Sequence, residues 1–475
     1  MMTKENIMKK ILVVFTAVLF GISCTKVYDG DNIDPNNPVE VNAETLLKGM
    51  QIANITVQVS HIQRITGMWM NQYRGVTLLY QSLGEYNLSA EESNDTWNSI
   101  YQGISKQGSI IREKLPNNKS YTGISKIIEA NALGTATALY GDIPFSERAN
   151  DKFPVPKFDK QADVYAGLQT LLDEAITELT AVPASVVVSN DIFFQGRSTT
   201  WVRVANSLKA RYYMETREYA KAYAAALLGI NSTALSWKFY PPGLVSDGDY
   251  NLINTFIDQR GGYLSTNGTY LHDVLLRATG TGTRNNAKTN EDARARYYRI
   301  GGTSSNAELG VAAKNAPMPL VTYEETLLIL AEAGARVTGF TEGLTQLNKV
   351  RGVLRTNLGL AAAPATGGTI LYADYVAADF TPGGMENSDN ITADKALLRE
   401  IIQERYVSLN GTILPFNDAR RLRKGDNDVN VPIPFTTATA TKHPERIIYS
   451  QNEINSNPNV PKPIPDIYVK TQVNQ

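Results

Sequence analysis

The chain has 475 residues, 46 Lys and Arg against 47 Asp and Glu, 43% hydrophobic residues and one cysteine. It can bury a core as one large domain or two to three smaller ones, and a net charge of −1 argues against an electrostatic grip on nucleic acid. A single thiol rules out an internal disulfide, and the three scattered histidines, His61, His272 and His443, show no metal-ligand spacing, so neither a metal nor a cofactor is expected.

Lys9 and Lys10 precede an apolar run, Ile11 to Phe20, which is shorter than the roughly 20 residues a membrane-spanning helix needs. The run closes on the lone thiol in "VVFTAVLFGISCTK" (13–26). A charged, then apolar leader ending at one Cys resembles a bacterial lipoprotein signal. That resemblance implies removal of residues 1–23 and acylation of Cys24 as a membrane anchor. Residues 24–41 are rich in Asp, Asn and Pro without periodicity and read as a flexible tether. Asp29, Asp31 and Glu40 fall at calcium-loop positions, but Ile33 occupies a ligand position and Asp34 the required glycine, so the loop is rejected.

From Asn42 the pattern turns helical, and residues 42–475 are expected to form a single domain. Asn42 can cap a helix, with Val41 and Leu46 at staple spacing. Apolar stripes at 65, 69, 73, 76, 80 and at 97, 100, 101, 104, 108, 111 recur near the helical period. Trp201, Ala205, Leu208 and Tyr212 form another behind a Ser198 or Thr199 cap. In "VTYEETLLILAEAGARVTGFTEGLTQLNKVR", Thr322 and Glu325 have capping-box spacing, Gly339 turns the chain, and Leu344, Leu347 and Val350 mark a second helix, predicting an αα-hairpin. Small residues in "EANALGTATALYG" and at Ala331, Ala333, Gly334 and Ala335 allow the close helix approach that tetratricopeptide-type repeats need, although no strict repeat period is present.

Residues 231–305 carry Gly, Pro, Asn, Thr and Tyr without a sustained stripe, and an irregular stretch of that length inside a helical domain points to function. A second irregular section, 358–390, reads as a surface loop, and the Pro-rich tail from about 426 cannot be regular helix. Trp69, Trp97 and Trp201 lie on helical stripes and are expected in the core. Trp237 does not; it stands beside Phe239, Tyr240 and the helix-forbidding Pro241-Pro242-Gly243, as either a ligand platform or a packing anchor.

Three stretches, "ALYGDIPFSE" (138–147), "APMPLVTYEETLLILAEAGARVTG" (316–339) and "REIIQERYVSLNGTILPFNDARRLRK" (399–424), occur in order with "EDARARYYRI" (291–300) and a closing "VPIPF…ERIIYSQNEINSNPN". Together they resemble the SusD/RagB family of outer-membrane nutrient-binding lipoproteins. The resemblance implies a mainly α fold of tetratricopeptide-like helical hairpins with a loop-rich binding region. It also implies an oligosaccharide ligand, lipid anchorage facing the cell exterior, and docking on a SusC-like TonB-dependent transporter. The residues by themselves give these stretches structural roles. Gly141 can end a helix with Asp142 accepting a nearby backbone bond, and Arg405, Asp418, Arg420 and Arg421 suit a salt-bridge network.

Sugar recognition needs exposed aromatic faces beside amides and carboxylates. Trp237, Tyr240 and Tyr263 in the irregular region are therefore the candidate ligand-binding residues, and no catalytic residue is assigned. Glu400 and Glu404, four apart beside Arg399 and Arg405, read as ion-pair partners and not as a glycosidase pair. A peptide ligand and a surface glycoside hydrolase remain the alternative functions. Because one thiol carries the whole attachment, Cys24→Ala should abolish lipid labelling of the expressed protein; label persisting on the variant would refute the anchor.

Overall fold

A computed structural model describes residues 42–243, 250–301, 308–425 and 429–475. The predicted leader 1–23, the lipidation site Cys24 and the tether 24–41 lie outside the described residues. Helix α1 (Ala43–Val59) follows Asn42 directly, as the cap predicted, and buries Leu47, Met50 and Asn54. The stripe from 65 to 80 is not one helix. It divides into α2 (His61–Trp69), a two-residue strand β1 (Arg74–Gly75) and α3 (Leu78–Gly84), because Asn71 takes φ 55° and breaks the helical path. The stripe from 97 to 111 is continuous but unusual: α4 (Asn94–Asn98) and α5 (Gln107–Lys114) are joined by a π-helical stretch, Ser99–Lys106.

Helix α6 (Lys119–Tyr140) is buried on every side from Ser120 to Tyr140. Its small residues allow this, most sharply at Gly134, where a Cβ would come within 2.2 Å of the Tyr212 hydroxyl. That hydroxyl donates to the Ala130 carbonyl at 2.7 Å and locks the approach. Gly141 ends the helix at φ 83°, and the Asp142 carboxylate accepts from the Gln161 amide at 3.0 Å, starting α7 (Gln161–Thr180). Helices α8 (Ser198–Glu215) and α9 (Tyr219–Leu227) continue the stack, although Ser198 is the first helical residue and not the cap.

The irregular region holds a short helix α10 (Leu252–Gln259), α11 (Asp292–Tyr298) and strands β2 (Trp237–Phe239), β3 (Leu264–Ser265) and β4 (Thr289–Asn290). β3 pairs antiparallel with β1, β2 with β5 (Met318–Val321), and β4 with β6 (Leu371–Tyr372). The predicted surface loop 358–390 is therefore tied down, with Tyr372, Tyr375 and Phe380 buried. The predicted hairpin is α12 (Tyr323–Val337) and α13 (Phe340–Arg355), packed against each other and against α9 and α14 (Ala393–Ser408). Helices α15 (Leu414–Gly425) and α16 (Gln451–Ser456) complete a mainly α fold of tetratricopeptide-like helix pairs. Among the described residues no helix is long and apolar enough to cross a membrane.

Buried ion pairs bind these helices. Thr322 caps α12 by accepting from the Glu325 amide at 3.1 Å, but the Glu325 side chain does not complete the capping box; it forks onto Arg211 of α8 at 2.6 Å. Glu332, the acid of "AEA", accepts Arg421 at 2.7 and 2.9 Å and Arg336 at 3.1 Å, with Arg405 at 3.3 Å. Burial opposes its ionisation, yet Arg421, Arg336 and Arg405 hold the carboxyl well below the usual carboxylate range. Asp418 joins Arg405 and Arg421 as expected, whereas Arg420 instead donates to the carbonyls of Ala138 and Glu445.

A second network joins Arg284 and Arg294 to Glu291, Glu400 and Glu404. Burial raises the Glu400 carboxyl to about 8, Glu386 and Glu404 adding to the rise against the pull of Arg284. A carboxyl raised on folding binds more proton in the folded state, so its contribution to stability falls as pH rises from its unfolded value through about 8. Glu400→Gln keeps an acceptor for Arg284 and removes the titration. Between pH 6.5 and 8 the variant should lose less stability than wild type, by about 1 kcal/mol per pH unit in urea melts; parallel curves would contradict the assignment.

Candidate functional site

Between α2 and residue 86 the described chain is strained at three positions. Asn71, Leu78 and Tyr86 adopt φ of 55°, 48° and 69°, a region that costs a non-glycine residue about 1–3 kcal/mol and that clusters at ligand sites. The surroundings over-determine this path. The Asn71 carboxamide accepts from the Tyr270 amide at 2.8 Å, and Gln72 donates to the Tyr406 carbonyl at 2.8 Å. Trp69 Nε1 donates to Leu83 at 2.8 Å, and the Tyr80 hydroxyl accepts from Arg64 Nε at 2.8 Å. Thr436 closes the far side, donating its amide to the Tyr86 hydroxyl at 3.2 Å and its hydroxyl to the Gly84 carbonyl.

This turn walls a cleft of 340 Å³ whose floor includes Met68 and Tyr73 and whose rim includes Arg74, Gln81, Glu85 and Phe435. Burial pushes the Tyr73 phenol up to about 12, so it stays neutral. Arg74 is exposed, lies over bare Gly268, and among the described residues has no carboxylate partner. Gln81 donates to Glu85 at 3.2 Å, presenting an amide and a carboxylate side by side. Phe435 is 42% exposed and is backed by the His443 ring at 4.5 Å, whose pKa burial, helped by Arg423, lowers to about 4, leaving it uncharged. A free five-donor guanidinium, an amide–carboxylate pair and one open aromatic face suit a ligand dense in hydroxyls. Val76, Leu78 and Leu79 stand exposed on the turn above it.

The three residues predicted from the sequence part company. Trp237 is fully buried, edge-on to Trp201 at 5.0 Å and to Phe193 at 5.6 Å, and its strand pairs with β5. It cannot face a ligand and takes the anchor role; Pro-Pro-Gly ends strand β2 and does not hold the ring outward. Tyr240 is 57% exposed beside Tyr297. Tyr263 is half-buried behind the cleft, its carbonyl accepting from the Val76 amide at 2.9 Å and its ring edge-on to Tyr80 at 6.4 Å. Arg74 and Phe435 were not predicted: Arg74 sat inside what looked like a helical stripe, and Phe435 in a Pro-rich tail stretch that carried the resemblance but no site assignment.

Residues 35–233 match the SusD-like family model described as "Starch-binding associating with outer membrane". A SusD/RagB family protein from Bacteroides thetaiotaomicron has the same fold, with a TM-score of 0.65 at 18% identity over 92% of this chain and 99% of its own. Residues 35–233 are thus SusD-like in sequence, and the fold over 92% of the chain is that of a SusD/RagB structure. The chain also superposes on a chitin-binding SusD homologue from Flavobacterium johnsoniae, with a TM-score of 0.62 at 15% identity over 90% and 98% of the two chains. A SusD homologue from Bacteroides fragilis gives a TM-score of 0.66 at 15% identity over 92% and 100%. No curated protein sequence matches.

The placement of Trp237 yields a direct test. Trp237→Ala should cost about 3–5 kcal/mol of stability in denaturant unfolding, as for a buried tryptophan elsewhere. Tyr240→Ala, at an exposed position, should stay within about 0.5 kcal/mol of wild type. Equal effects at the two positions would contradict the burial difference.

Proposed function

We propose that this protein is a surface-exposed, Cys24-anchored lipoprotein, with one domain over 42–475, that captures oligosaccharide in the Arg74–Phe435 cleft and delivers it to a SusC-like TonB-dependent transporter. The observation that carries the reading is the cleft itself: an unpaired guanidinium, an amide–carboxylate pair and an exposed ring converge on one strained, firmly held turn. The SusD-like family description and the chitin-binding homologue support the choice of a saccharide. Binding is favoured over catalysis because Glu400 and Glu404, the acids with the most suggestive spacing, are buried and closed onto Arg284 and Arg294. Tyr263 serves by holding the turn, and Tyr240 offers an accessory aromatic surface outside the cleft.

Titration calorimetry with chitohexaose and maltoheptaose, alongside a casein peptide digest, tests this. Arg74→Ala and Phe435→Ala should each weaken saccharide binding by about 1–3 kcal/mol while the melting temperature holds, the size expected for a lost stacking or charge-assisted contact. Undiminished binding in both variants would remove the cleft from the mechanism. Peptide binding in place of sugar, or appearance of cleaved oligosaccharide, would overturn the ligand class or the non-enzymatic reading respectively.

A further inference from the structure

A second cavity, of 450 Å³, shares no lining residue with the first. One wall is the π-helical stretch Ser99–Lys106 with the turn of helix before it; the others are the 144–156 loop and α16. π-Helix is rare, and where it occurs it is frequently at functional sites. Here it follows Trp97 and carries Tyr101. Both rings are fixed: Trp97 Nε1 donates to Glu453 at 3.2 Å, the Tyr101 hydroxyl donates to the Pro144 carbonyl at 3.1 Å, and the two rings pack at 4.8 Å.

The charged side chains around the cavity are already engaged by protein groups. Lys106 pairs with Asp151 at 2.6 Å, Arg148 with buried Glu129 at 2.9 Å, and Glu453 also accepts from Asn457 at 2.7 Å. The side chains that remain without a partner for their donors are neutral amides. Among the described residues the carboxamide nitrogens of Asn98, Gln102, Asn150 and Asn452 donate to no protein group, and each residue is exposed and lines the cavity. Phe153, 43% exposed between Lys152 and Pro154, adds an open ring. Each primary amide offers two donors and one acceptor, a set that matches vicinal hydroxyls and has little to offer an ionic ligand.

We propose that this cavity is a second saccharide site, specific for neutral sugar units, so that a long glycan is held at two places on one molecule. The proposal rests on the saccharide-binding reading above and adds to it a second site and a preference for uncharged units. Two weak sites joined by one polymer raise retention well beyond either alone.

Affinity electrophoresis in gels containing glycol chitin or soluble starch separates the two sites. The cleft variant Arg74→Ala/Phe435→Ala should still be retarded by the polysaccharide that retards wild type. Adding Asn98→Ala and Phe153→Ala should abolish that residual retardation, and the same pair alone should weaken wild-type retention by about tenfold. All four side chains are exposed or half-exposed, so melting temperatures should be preserved. If the cleft variant loses all retention, or if Asn98→Ala/Phe153→Ala changes nothing in either background, the second site is refuted while the cleft stands. If wild type is retarded in neither gel and binds neither oligosaccharide in calorimetry, the saccharide reading itself fails and takes this inference with it.

Discussion

Glu332 is the carboxylate on which the arrangement of the helices behind the cleft depends. It sits on α12 with no exposure, and its partners Arg405 and Arg421 come from α14 and α15. Removing the acid would leave two buried guanidiniums with Asp418 as their remaining shared counter-charge, a loss of up to about 3–5 kcal/mol. The consequence travels to the surface through packing. On α14, Tyr406 donates its hydroxyl to the Met70 carbonyl at 2.6 Å and accepts Gln72 on its own carbonyl; on α15, Phe416 packs edge-on to Trp69 at 5.7 Å. The strained turn that walls the cleft is therefore held from below by helices that one carboxylate ties together.

That rigidity explains which groups are left free. Backbone strain persists only where neighbouring contacts outweigh it. Between residues 69 and 86 the groups that hold the path are committed: Trp69 to Leu83, Asn71 to Tyr270, Tyr80 to Arg64 and His61, Val76 to Tyr263. The Arg74 guanidinium and the Phe435 face are left open to solvent, and both stand on the same cleft. A guanidinium and a ring held ready on a firm backbone lose little freedom on binding, which favours affinity for ligands that offer few strong contacts.

The C-terminal tail has a larger role than its irregularity suggests. It buries Ile447 and Tyr449 completely, and Arg446 and Tyr449 bond the Tyr140 and Asp142 carbonyls at the end of α6. Pinned this way, it carries Phe435 and Thr436 to the cleft and Ser450, Asn452 and Glu453 to the π-helical cavity. Prolines keep most of the tail irregular as expected, but Ser450 caps the short helix α16 within it, and that helix carries Asn452 and Glu453.

Local information was enough for the scaffold. Apolar period, caps and small residues placed α1, the long buried α6, the α12–α13 hairpin and the Gly141 turn, because each depends on contacts within a few residues or on helix faces whose spacing is written in the chain. The Arg405–Asp418–Arg421 network was readable for the same reason, whereas its central acid, Glu332, is more than 70 residues from Arg405 and was not. Site residues depended on which aromatics stay exposed after folding, and periodicity says nothing about that outside a helix. Trp237 and Tyr240 lie three apart, yet pairing with β5 sends one indole against Trp201 and leaves the other ring in solvent. Arg74 and Phe435, 361 positions apart, become a site only when β1 pairs with β3 and the tail returns along Tyr86, an encounter that only tertiary packing could decide.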